Sequence, residues 1–319
     1  MSELELDVLS FGEALVDFFP TAPGVPLVDC DVFHRHLGGA PCNVAVGLAR
    51  QGVRVGLMTL VGADDFGTYV RNHLVKEGID VRGVGVHRTA KTGVTFVAVK
   101  ADGARSFLFF RHPSADQMVT EHDVDAQLIA RARVLHVGSS TLAREPARAA
   151  TWKAIAAAKA NGRLVSSDPN WRAHLWEDPR EATGLLRQLL SQCDIVKISD
   201  DELKPLVGTT EVEPAARELR ALGVGLVVIT LGARGCYYQA AGGSGYVAGE
   251  RVTIVDTTGA GDAFMAGLLA ELLSSGLRQG KTLNDFTNDE LQRACGCGNR
   301  LGAQVVTQLG ATAGLPRGR

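Results

Sequence analysis

The chain contains 319 residues, of which 45% are hydrophobic, and its 33 Lys and Arg against 35 Asp and Glu give a formal charge of −2. Surfaces that bind nucleic acid usually carry a basic surplus, which this composition lacks, so nucleic acid is not an expected partner. The length and apolar content are enough for a large core and exclude disorder for most of the chain. The 37 Gly exceed the roughly 7% of average composition, and their positions need an explanation.

The first residues, Met-Ser-Glu-Leu-Glu-Leu-Asp, are acidic and lack the basic and apolar regions of a secretory signal. No apolar run approaches the roughly 20 residues that span a bilayer. We therefore expect a cytoplasmic protein without a membrane partner, whose six cysteines are reduced thiols. Cys295 and Cys297 lack the spacing and the second ligand pair of a zinc site.

Short apolar runs rich in β-branched residues alternate with segments of helical spacing, which is typical of a parallel sheet covered on both faces. The expected strands are residues 7–12, 54–61, 133–137, 164–167, 195–198 and 226–230. Helices are expected at 145–160, at 180–190 and from about 260 to 275, where Phe264, Leu268 and Leu272 recur every four residues. The predicted fold class is α/β, a doubly wound and mainly parallel sheet sandwich.

Two stretches break this alternation and predict a small separate sheet. Residues 15–33 mix apolar and aromatic residues with prolines, and residues 81–110 contain successive strands with a turn at 101–104. Because α/β proteins bind ligands at the carboxyl ends of strands, we interpret this sheet as a lid over an active site; an ordinary edge hairpin is the alternative. The predicted division places 14–33 and 81–111 in the lid and 1–13, 34–80 and 112–319 in the main domain.

The segment 256–262, Asp-Thr-Thr-Gly-Ala-Gly-Asp, carries the strongest chemical signal. Small residues at the start of the expected helix leave the amides of Gly259, Ala260 and Gly261 exposed at the positive end of the helix dipole, which suits phosphate oxygens. Asp262 in the first helical turn is either a partner of the dipole or a general base that accepts a proton from a hydroxyl. The neighbouring glycine nest favours the general base.

A second segment, 38–43 (Gly-Gly-Ala-Pro-Cys-Asn), begins another expected helix with proline near its first position. Gly38 and Gly39 allow a ligand to approach the backbone, and Asn43 can both donate to and accept from sugar hydroxyls. Alone, this pattern is a common turn before a helix, and it gains weight only beside the first segment.

Two competing nucleotide motifs fail. The segment 276–282 (Gly-Leu-Arg-Gln-Gly-Lys-Thr) has three residues between its glycines where a P-loop requires four, and it follows a helix instead of a strand. The segment 223–228 lacks the third glycine of a dinucleotide fingerprint and leads into a strand. A dehydrogenase is therefore a remote alternative.

These segments resemble the two signatures of the PfkB, or ribokinase-like, carbohydrate kinases, and within that family the chain is most similar to the fructokinases. The similarity extends over 11–18, 110–116, 168–172, 196–203, 230–235 and 310–316, and so covers essentially the whole chain. The resemblance implies a ribokinase-like fold with a β-sheet lid and MgATP-dependent phosphorylation of D-fructose to D-fructose 6-phosphate. It implies that Asp262 is the base, that the amides of Gly259, Ala260 and Gly261 form an anion hole, and that Arg172 reaches the transferring phosphate.

The resemblance also implies a set of sugar-binding positions, in which carboxylates and amides meet hydroxyls and Arg111 and Asp116 close from the lid side. The residues are Asp17, Gly38, Gly39, Asn43, Arg111, Asp116, Asp168 and Asn170. The implied nucleotide-binding positions are Lys197, Thr230, Gly232, Gly235 and Asn299. Around Asn299, the Cys-Gly-Cys-Gly sequence departs from the Ala-rich helix of the family.

Glu202 matches the acidic residue of the family's Asn-x-x-Glu motif, while Ser199 stands where the Asn is usual, so a water-mediated contact with Mg²⁺ is expected. The resemblance further implies a monovalent cation, as K⁺, bound by backbone carbonyls. The carbonyl positions are near Asp256, Thr258, Val305, Gln308, Gly310 and Gly314.

The sequence leaves the substrate and the assembly open. Kinases for 2-keto-3-deoxygluconate, ribose or a nucleoside are alternatives, as is a sugar-binding regulator without catalysis, although the retained Asp262, Glu202 and Arg172 argue against the regulator. The expected partners are a small sugar and ATP. A homodimer through the lid sheet is implied by the resemblance, since a small exposed sheet needs its face or edges covered.

Overall fold

The structure is a computed structural model that describes residues 4–21, 24–99, 105–111, 113–176 and 178–317. The strands are β1 (Leu6–Phe11), β2 (Leu15–Pro20), β3 (Phe33–Gly38), β4 (Val55–Gly62), β5 (Val84–His87), β6 (Val94–Val99), β7 (Arg105–Phe110), β8 (Ala132–Val137), β9 (Leu164–Ser167), β10 (Ile195–Ser199), β11 (Leu226–Thr230), β12 (Gly235–Ala240) and β13 (Gly243–Ala248). The helices are α1 (Ala40–Arg50), α2 (Asp65–Lys76), α3 (Ala126–Ala130), α4 (Ala147–Ala160), α5 (Pro179–Gln192), α6 (Asp200–Val207), α7 (Val212–Ala221), α8 (Ala260–Ser275) and α9 (Asn288–Val305).

Within the described residues, nine strands form the main sheet in the order β13-β12-β11-β10-β9-β8-β1-β4-β5. Pairing is parallel from β5 to β11, while β12 pairs antiparallel with both β11 and β13, so that only β12 runs against the other described strands of this sheet. Strands β1 and β4 are buried at every position because helices cover both faces of the sheet. The predicted α/β class and its doubly wound sheet are confirmed.

Two hydrophobic cores lie on opposite faces of the main sheet. Helices α1, α2, α8 and α9 bury apolar residues against one face, among them Leu48, Leu74, Leu268 and Leu291. Helices α3 to α7 bury theirs against the other face, among them Ile129, Ile155, Leu189, Leu203 and Leu219. The helices with strong amphipathic spacing therefore form the outer layers of a three-layer sandwich.

The lid is a four-stranded sheet in the order β3-β2-β6-β7, as far as the structure describes the chain. Its outer face carries an aromatic cluster in which Phe18 stacks on Phe96 with 5.2 Å between ring centroids, and Phe33 and Phe110 meet Phe96 edge to face. A small separate sheet was predicted from the break in strand and helix alternation, and the turn expected at 101–104 lies outside the described residues.

Two strands lie elsewhere than the predicted boundaries place them. Strand β3, which was assigned to the main domain, pairs antiparallel with β2 along its whole length and belongs to the lid. Strand β5, which was assigned to the lid, pairs in parallel with β4 and extends the main sheet. The reason is topological: β5 follows a helical crossover, the connection that parallel pairing requires, whereas β3 returns directly beside β2.

The strand order creates a crevice where the direction of chain progression reverses. From β1 the chain moves outward to β4 on one side, and after the lid it returns to β8 and moves outward to β11 on the other. The carboxyl ends of β1 and β8 therefore flank a topological switch point, which is the usual ligand site of open α/β sheets. No helix in the described part of the chain is long and apolar enough to cross a membrane.

Candidate active site

A cavity of about 240 Å³ lies at this switch point, between the carboxyl ends of the main sheet and the lid. The predicted residues that line it are Asp17, Gly39, Asn43, Arg111, Asp168, Asn170, Arg172, Lys197, Thr258, Gly259, Ala260, Gly261 and Asp262. The predicted residues outside its lining are Gly38, Asp116, Glu202, Thr230, Gly232, Gly235, Asp256, Asn299, Val305, Gln308, Gly310 and Gly314. Predicted residues from six distant parts of the sequence thus meet in one cavity.

Asp262 lies in the first turn of α8 with only 6% of its surface exposed. Its carboxylate accepts a hydrogen bond of 2.8 Å from Nδ2 of Asn43, which is 219 residues away in the first turn of α1. Close packing of the two helices allows this contact, because a Cβ on Gly47 would lie only 2.6 Å from Cβ of Ala266. The hydrogen bond between Asn43 and Asp262 therefore depends on how closely α1 packs on α8.

The electrostatic surroundings raise the pKa of Asp262 to about 7. Burial is the main cause and the nearby charge of Asp168 adds to it, while the hydrogen bond from Asn43 and the charges of Lys197 and Arg172 oppose the shift. A carboxylate with a pKa close to neutrality is a much better proton acceptor than an ordinary surface aspartate, and this is the property a general base needs.

The sequence predicts an anion nest at the start of α8. Gly259 caps the helix with φ of 79°, and a Cβ there would lie 2.4 Å from the carbonyl oxygen of Ala311. The amide of Ala260 donates to the carbonyl of Thr257 at 3.3 Å, whereas first-turn amides such as that of Gly261 have no acceptor within the helix. The nest therefore fits a phosphate group, with Gly261 as its central donor.

Lys197 on β10 lies directly beside this nest. A Cβ on Gly261 would come within 2.6 Å of Nζ of Lys197, so only glycine lets the ammonium approach. Nζ forms a buried 2.7 Å ion pair with Asp168. Burial opposes the charge of Lys197, but Asp168, Glu202 and Asp262 outweigh it and raise its pKa, so the lysine stays protonated beside the nest.

Among the buried oxygens that line the cavity, one amide oxygen and one carboxylate oxygen have no hydrogen-bond partner among the described residues. They are Oδ1 of Asn43 and Oδ1 of Asp168, whose other side-chain atoms bind Asp262 and Lys197 respectively. Because buried polar atoms are nearly always satisfied, unpartnered acceptors facing one cavity fit a ligand that carries several hydroxyl groups.

Asp17 on β2 is the lid's contribution to the cavity and is 8% exposed. Its pKa is raised to about 7, mainly by burial and further by Glu13 and Asp256, against the effects of Thr95 and Arg111. Gly38 on the paired strand does not line the cavity, but a Cβ there would lie 2.1 Å from Oδ2 of Asp17. Gly38 therefore makes room for the carboxylate of Asp17.

Arg111 follows β7 and is buried in the cavity wall, where it forms an ion pair with the buried Asp116. Burial opposes the charge of Arg111, but Asp116, Glu13 and Asp17 raise its pKa overall. Asp116 is not among the residues that line the cavity, and its carboxylate holds the guanidinium of Arg111. The substrate contact at Asp116 stays a prediction.

Asn170 and Arg172 lie in the segment after β9. Asn170 adopts φ of 49°, a left-handed conformation that asparagine tolerates better than most residues. Arg172 is exposed at the rim of the cavity and donates only to the carbonyl of Trp171 among its described contacts, at 3.2 Å. Its guanidinium is placed to turn toward an anion bound at the nest.

Sequence reasoning missed Glu13 and the serines that follow β8. Oε1 of Glu13 accepts from the amide of Ala40 at 3.1 Å, and Oε2 accepts from the hydroxyl of Ser140. Glu13 thereby joins the end of β1 to the start of α1 and to the β8 loop, and Ser139 and Ser140 line the cavity with it. Their position after predicted strands was the available signal, because ligands bind at the carboxyl ends of parallel strands.

Apart from Lys197, the predicted nucleotide positions lie outside the cavity and have structural contacts. Asn299 donates from Nδ2 to the carbonyls of Val247 and Ala248, both at 3.1 Å, and so ties α9 to β13. The sequence around Asn299 contains glycine where the family usually has alanine, and the packing explains this at Gly298. A Cβ on Gly298 would lie 2.9 Å from the ring of Phe264.

The remaining nucleotide positions shape the turn between β11 and β12. Thr230 donates weakly to the carbonyl of Ile198 at 3.4 Å. Gly232 and Gly235 have φ of 58° and 98°, and a Cβ on Gly235 would lie 2.0 Å from the carbonyl oxygen of Val247. The backbone conformation therefore favours glycine at both positions, and close packing also requires it at Gly235.

Glu202 acts as the cap of α6. Its Oε2 accepts from the amide and hydroxyl of Ser199 at 2.7 and 2.8 Å, and Oε1 accepts from the amide of Trp171 at 2.5 Å. With three of roughly four acceptor positions occupied, the carboxylate fits an outer-sphere contact through water better than direct metal ligation. Among the described residues, no cluster of three or more His, Cys, Asp or Glu forms a metal site.

The loops expected to bind a monovalent cation lie side by side. Oδ1 of Asp256 accepts from the amide of Thr258 at 2.9 Å, and Oδ2 accepts from the amide of Gly310 at 2.9 Å. A Cβ on Gly314 would lie 2.9 Å from the carbonyl oxygen of Val305, and Gln308 donates to the same carbonyl at 3.4 Å. The Asp256 carboxylate ties the loops together, which leaves backbone carbonyls as the fitting cation ligands.

Comparisons with known proteins agree with this arrangement. The family model of the pfkB family carbohydrate kinases matches residues 5–317. Fructokinase-1 of Oryza sativa subsp. japonica is 40% identical over 310 residues, which are 97% of this chain and 94% of that protein.

Two solved structures share the fold over almost the whole chain. A fructokinase double mutant from Vibrio cholerae O395, in fructose-, ADP- and potassium-bound form, matches with a TM-score of 0.86 and 33% identity over 99% of this chain and 97% of that one. A structure from E. coli assigned as ribokinase II, in complex with ATP and Mg²⁺, matches with a TM-score of 0.86 and 29% identity over 99% and 96%. The ribokinase-like fold with its lid is thereby confirmed.

Proposed function

The chain belongs to the pfkB family of carbohydrate kinases, and from that premise we propose that it transfers the γ-phosphoryl group of ATP to the 6-hydroxyl of D-fructose. The observation that carries the proposal is the buried Asp262, with its raised pKa, directly beside the amide nest and inside a hydroxyl-accepting cavity. The similarity to plant and bacterial fructokinases supports fructose as the sugar.

In the proposed mechanism, Asp262 accepts the proton of the attacking hydroxyl while the Asn43 amide holds the carboxylate in position. ATP supplies the phosphoryl group. The amides of Gly259 to Gly261 and the protonated Lys197 stabilise the negative charge of that group, and Arg172 turns inward from the rim. These residues contribute mainly by positioning and charge neutralisation, since phosphoryl transfer needs little covalent chemistry from the protein.

Sugar binding is proposed to use both sides of the cavity. The unpartnered oxygens of Asn43 and Asp168 accept hydroxyl protons from the main-domain side, and Asp17 and Arg111 close from the lid. The predicted two-part division of the chain is retained as a proposal, with the boundaries moved so that β3 belongs to the lid and β5 to the main domain.

Nucleotide and metal binding are proposed by the same reasoning. Thr230, Gly232, Gly235 and Asn299 shape the turn and helix beside which the nucleotide would lie, and Glu202 contacts Mg²⁺ through water. The carbonyls around Asp256 and Gly310 are proposed to bind K⁺, in keeping with the potassium of the Vibrio cholerae structure. The six cysteines, all of them unpaired thiols, support a cytoplasmic location.

A panel of sugars tests the substrate. We expect ATP-dependent ADP formation with D-fructose at a kcat/KM at least tenfold above that with ribose, 2-keto-3-deoxygluconate or a nucleoside, measured with and without K⁺. A higher kcat/KM with one of the alternatives would overturn fructose while leaving the kinase assignment intact. Stabilisation by fructose without any ADP formation would favour a sugar-binding regulator instead.

A further inference from the structure

A second cavity, of about 570 Å³, opens at the opposite edge of the main sheet from the candidate active site. Arg133 at the start of β8, Arg163 before β9, Asp194 before β10 and Gly225 before β11 line it. At their other ends, the segments after β8 and β9 and Lys197 on β10 border the active-site cavity. At about 3.3 Å per residue, the strands separate the two cavities by roughly 15 Å.

The lining of this amino-end cavity is strongly cationic. Among the described residues, its ionisable side chains are four cations and one carboxylate: Arg133, Arg163, Arg220, Lys281 and Asp194. The carboxylate is engaged by the amide of Val165, which donates to it at 2.7 Å. The charge of the lining is therefore not neutralised from within.

Three of the four cations have partners. Lys281 forms a 2.6 Å ion pair with Glu290, Arg220 donates to the carbonyl of Gly225 at 2.5 Å, and Nη2 of Arg133 donates to the carbonyl of Arg278 at 3.2 Å. Lys281 belongs to the segment 276–282, which fails as a P-loop, and that segment instead supplies one wall of this cavity.

Arg133 and Arg163 differ from Arg220 at their Nε atoms, and no carboxylate in the described part of the chain lies within ion-pair distance of either guanidinium. Nε of each is buried without a hydrogen-bond partner, and the nearby Asp7 already pairs with Arg54 and Arg278. The pKa of Arg133 is lowered, first by burial and then by the neighbouring arginines Arg54, Arg163 and Arg278, although Asp7 acts in the opposite direction. The guanidinium groups of Arg133 and Arg163 therefore share this cavity without an ion-pair partner among the described residues.

We propose that this cavity binds a phosphate group, held by the guanidinium groups of Arg133 and Arg163. Guanidinium forks match phosphate oxygens in geometry and charge, and bound phosphate would give both buried Nε atoms an acceptor. The volume exceeds that of a free phosphate, and Gly162, Gly223 and Gly280 leave open space in the lining, which favours a phosphate ester of a small metabolite. The site is independent of the proposed substrate of the kinase.

Calorimetric titration with inorganic phosphate tests the site. We expect Arg163→Gln to weaken one phosphate-binding event about tenfold or more and the double change with Arg133→Gln to abolish it. Phosphate that binds at the active-site nest should do so equally in the unaltered protein and in both variants. It therefore does not affect the comparison between them. The exposed Arg217, which lies outside the cavity, provides the matched control Arg217→Gln, which should bind as the unaltered protein does.

A second titration with D-glucose 6-phosphate separates the two sources of the phosphate group. Tighter binding of the ester at the Arg163-dependent site identifies a sugar phosphate, and equal affinities identify free phosphate. Equal affinity of Arg163→Gln and the unaltered protein for both anions would overturn the proposal.

Thermal unfolding supplies an independent readout. Without phosphate, Arg163→Gln should melt at the same or a higher temperature, because one repelling charge is removed, yet it should lose the phosphate-induced rise in Tm. Arg163→Lys, which keeps the charge without the fork, should retain only part of that rise. A phosphate-induced rise unchanged in both variants would contradict binding at this cavity.

Discussion

Asp262 combines two properties that oppose each other in an ordinary protein side chain, namely burial and negative charge. Its carboxylate is held by Asn43 in the first turn of α8, and its pKa is raised to about 7. Nearby, the buried ammonium of Lys197 forms an ion pair with Asp168. This pairing offsets part of the free-energy cost of burying a positive charge beside the nest. At the scale of single residues, the site consists of paired charges whose remaining atoms face the cavity.

We expect Asp262→Asn to lower kcat by about 10² to 10⁴-fold while the dissociation constant for fructose stays within threefold, because the amide keeps the shape but cannot accept the proton. In the unaltered protein, kcat should rise with pH through about 7, since the base acts in its deprotonated form and burial raises its pKa. Steady-state kinetics between pH 5.5 and 9 and calorimetry with fructose measure both.

The matched control is Asp289→Asn, an exposed aspartate in the first turn of α9, which should leave kcat unchanged. Turnover of Asp262→Asn close to that of the control would contradict the role of Asp262 as base.

At the scale of secondary-structure elements, glycines decide how closely helices approach. Gly47 brings α1 against α8, and Gly298 brings α9 against α8 from another side. The sequence predicts α1 and α8 from local signals. These are the Gly-Gly-Ala-Pro start of α1 and the four-residue spacing of apolar residues in α8. The sequence does not show that α1 and α8 touch. That contact arises because both helices pack on the same face of the main sheet.

Gly47→Ala tests this element-scale dependence. The added Cβ would lie 2.6 Å from Cβ of Ala266, so α1 must shift away from α8 and carry Asn43 from its position beside Asp262. We expect a loss of about 1–3 kcal/mol in the free energy of unfolding and a fall in kcat, measured by denaturant unfolding and by steady-state kinetics.

Gly184→Ala is the helical control, because a Cβ at this exposed position in α5 meets nothing within 4 Å. It should stabilise the protein by about 0.5–1 kcal/mol through helix propensity and leave kcat unchanged. If both substitutions stabilised the protein, the size of residue 47 would not limit how closely α1 packs on α8, which would contradict this prediction.

At the scale of the whole molecule, the near-zero net charge conceals an uneven distribution of charge. Among the described residues, four carboxylates and three cations line the active-site cavity, whereas one carboxylate and four cations line the amino-end cavity. The lid leaves an apolar outer face, with Leu108 49% and Phe110 59% exposed. An exposed aromatic sheet face of this kind is typical of a subunit interface, and a second copy of this chain is the proposed partner.

Phe110→Glu should convert this proposed dimer into a monomer, because a carboxylate on the outer face of the lid would have to be buried without a partner. Tyr246→Glu, at the equally exposed β13 edge far from the lid, should leave the dimer intact. Sedimentation velocity over a range of protein concentrations measures both, and an unaltered protein that stays monomeric throughout would contradict the proposal.

The sequence by itself determined the features whose causes are local in the chain. Alternating strands and helices, the glycine nest and Asp262 one turn into α8 all depend on residues within a few positions of each other, so spacing and residue type were sufficient. Tertiary structure alone decided the Asn43–Asp262 contact across 219 residues, the Lys197–Asp168 pair across 29, and the membership of β3 in the lid. It also decided the raised pKa values, because burial and the charges of distant neighbours exist only once the chain has folded.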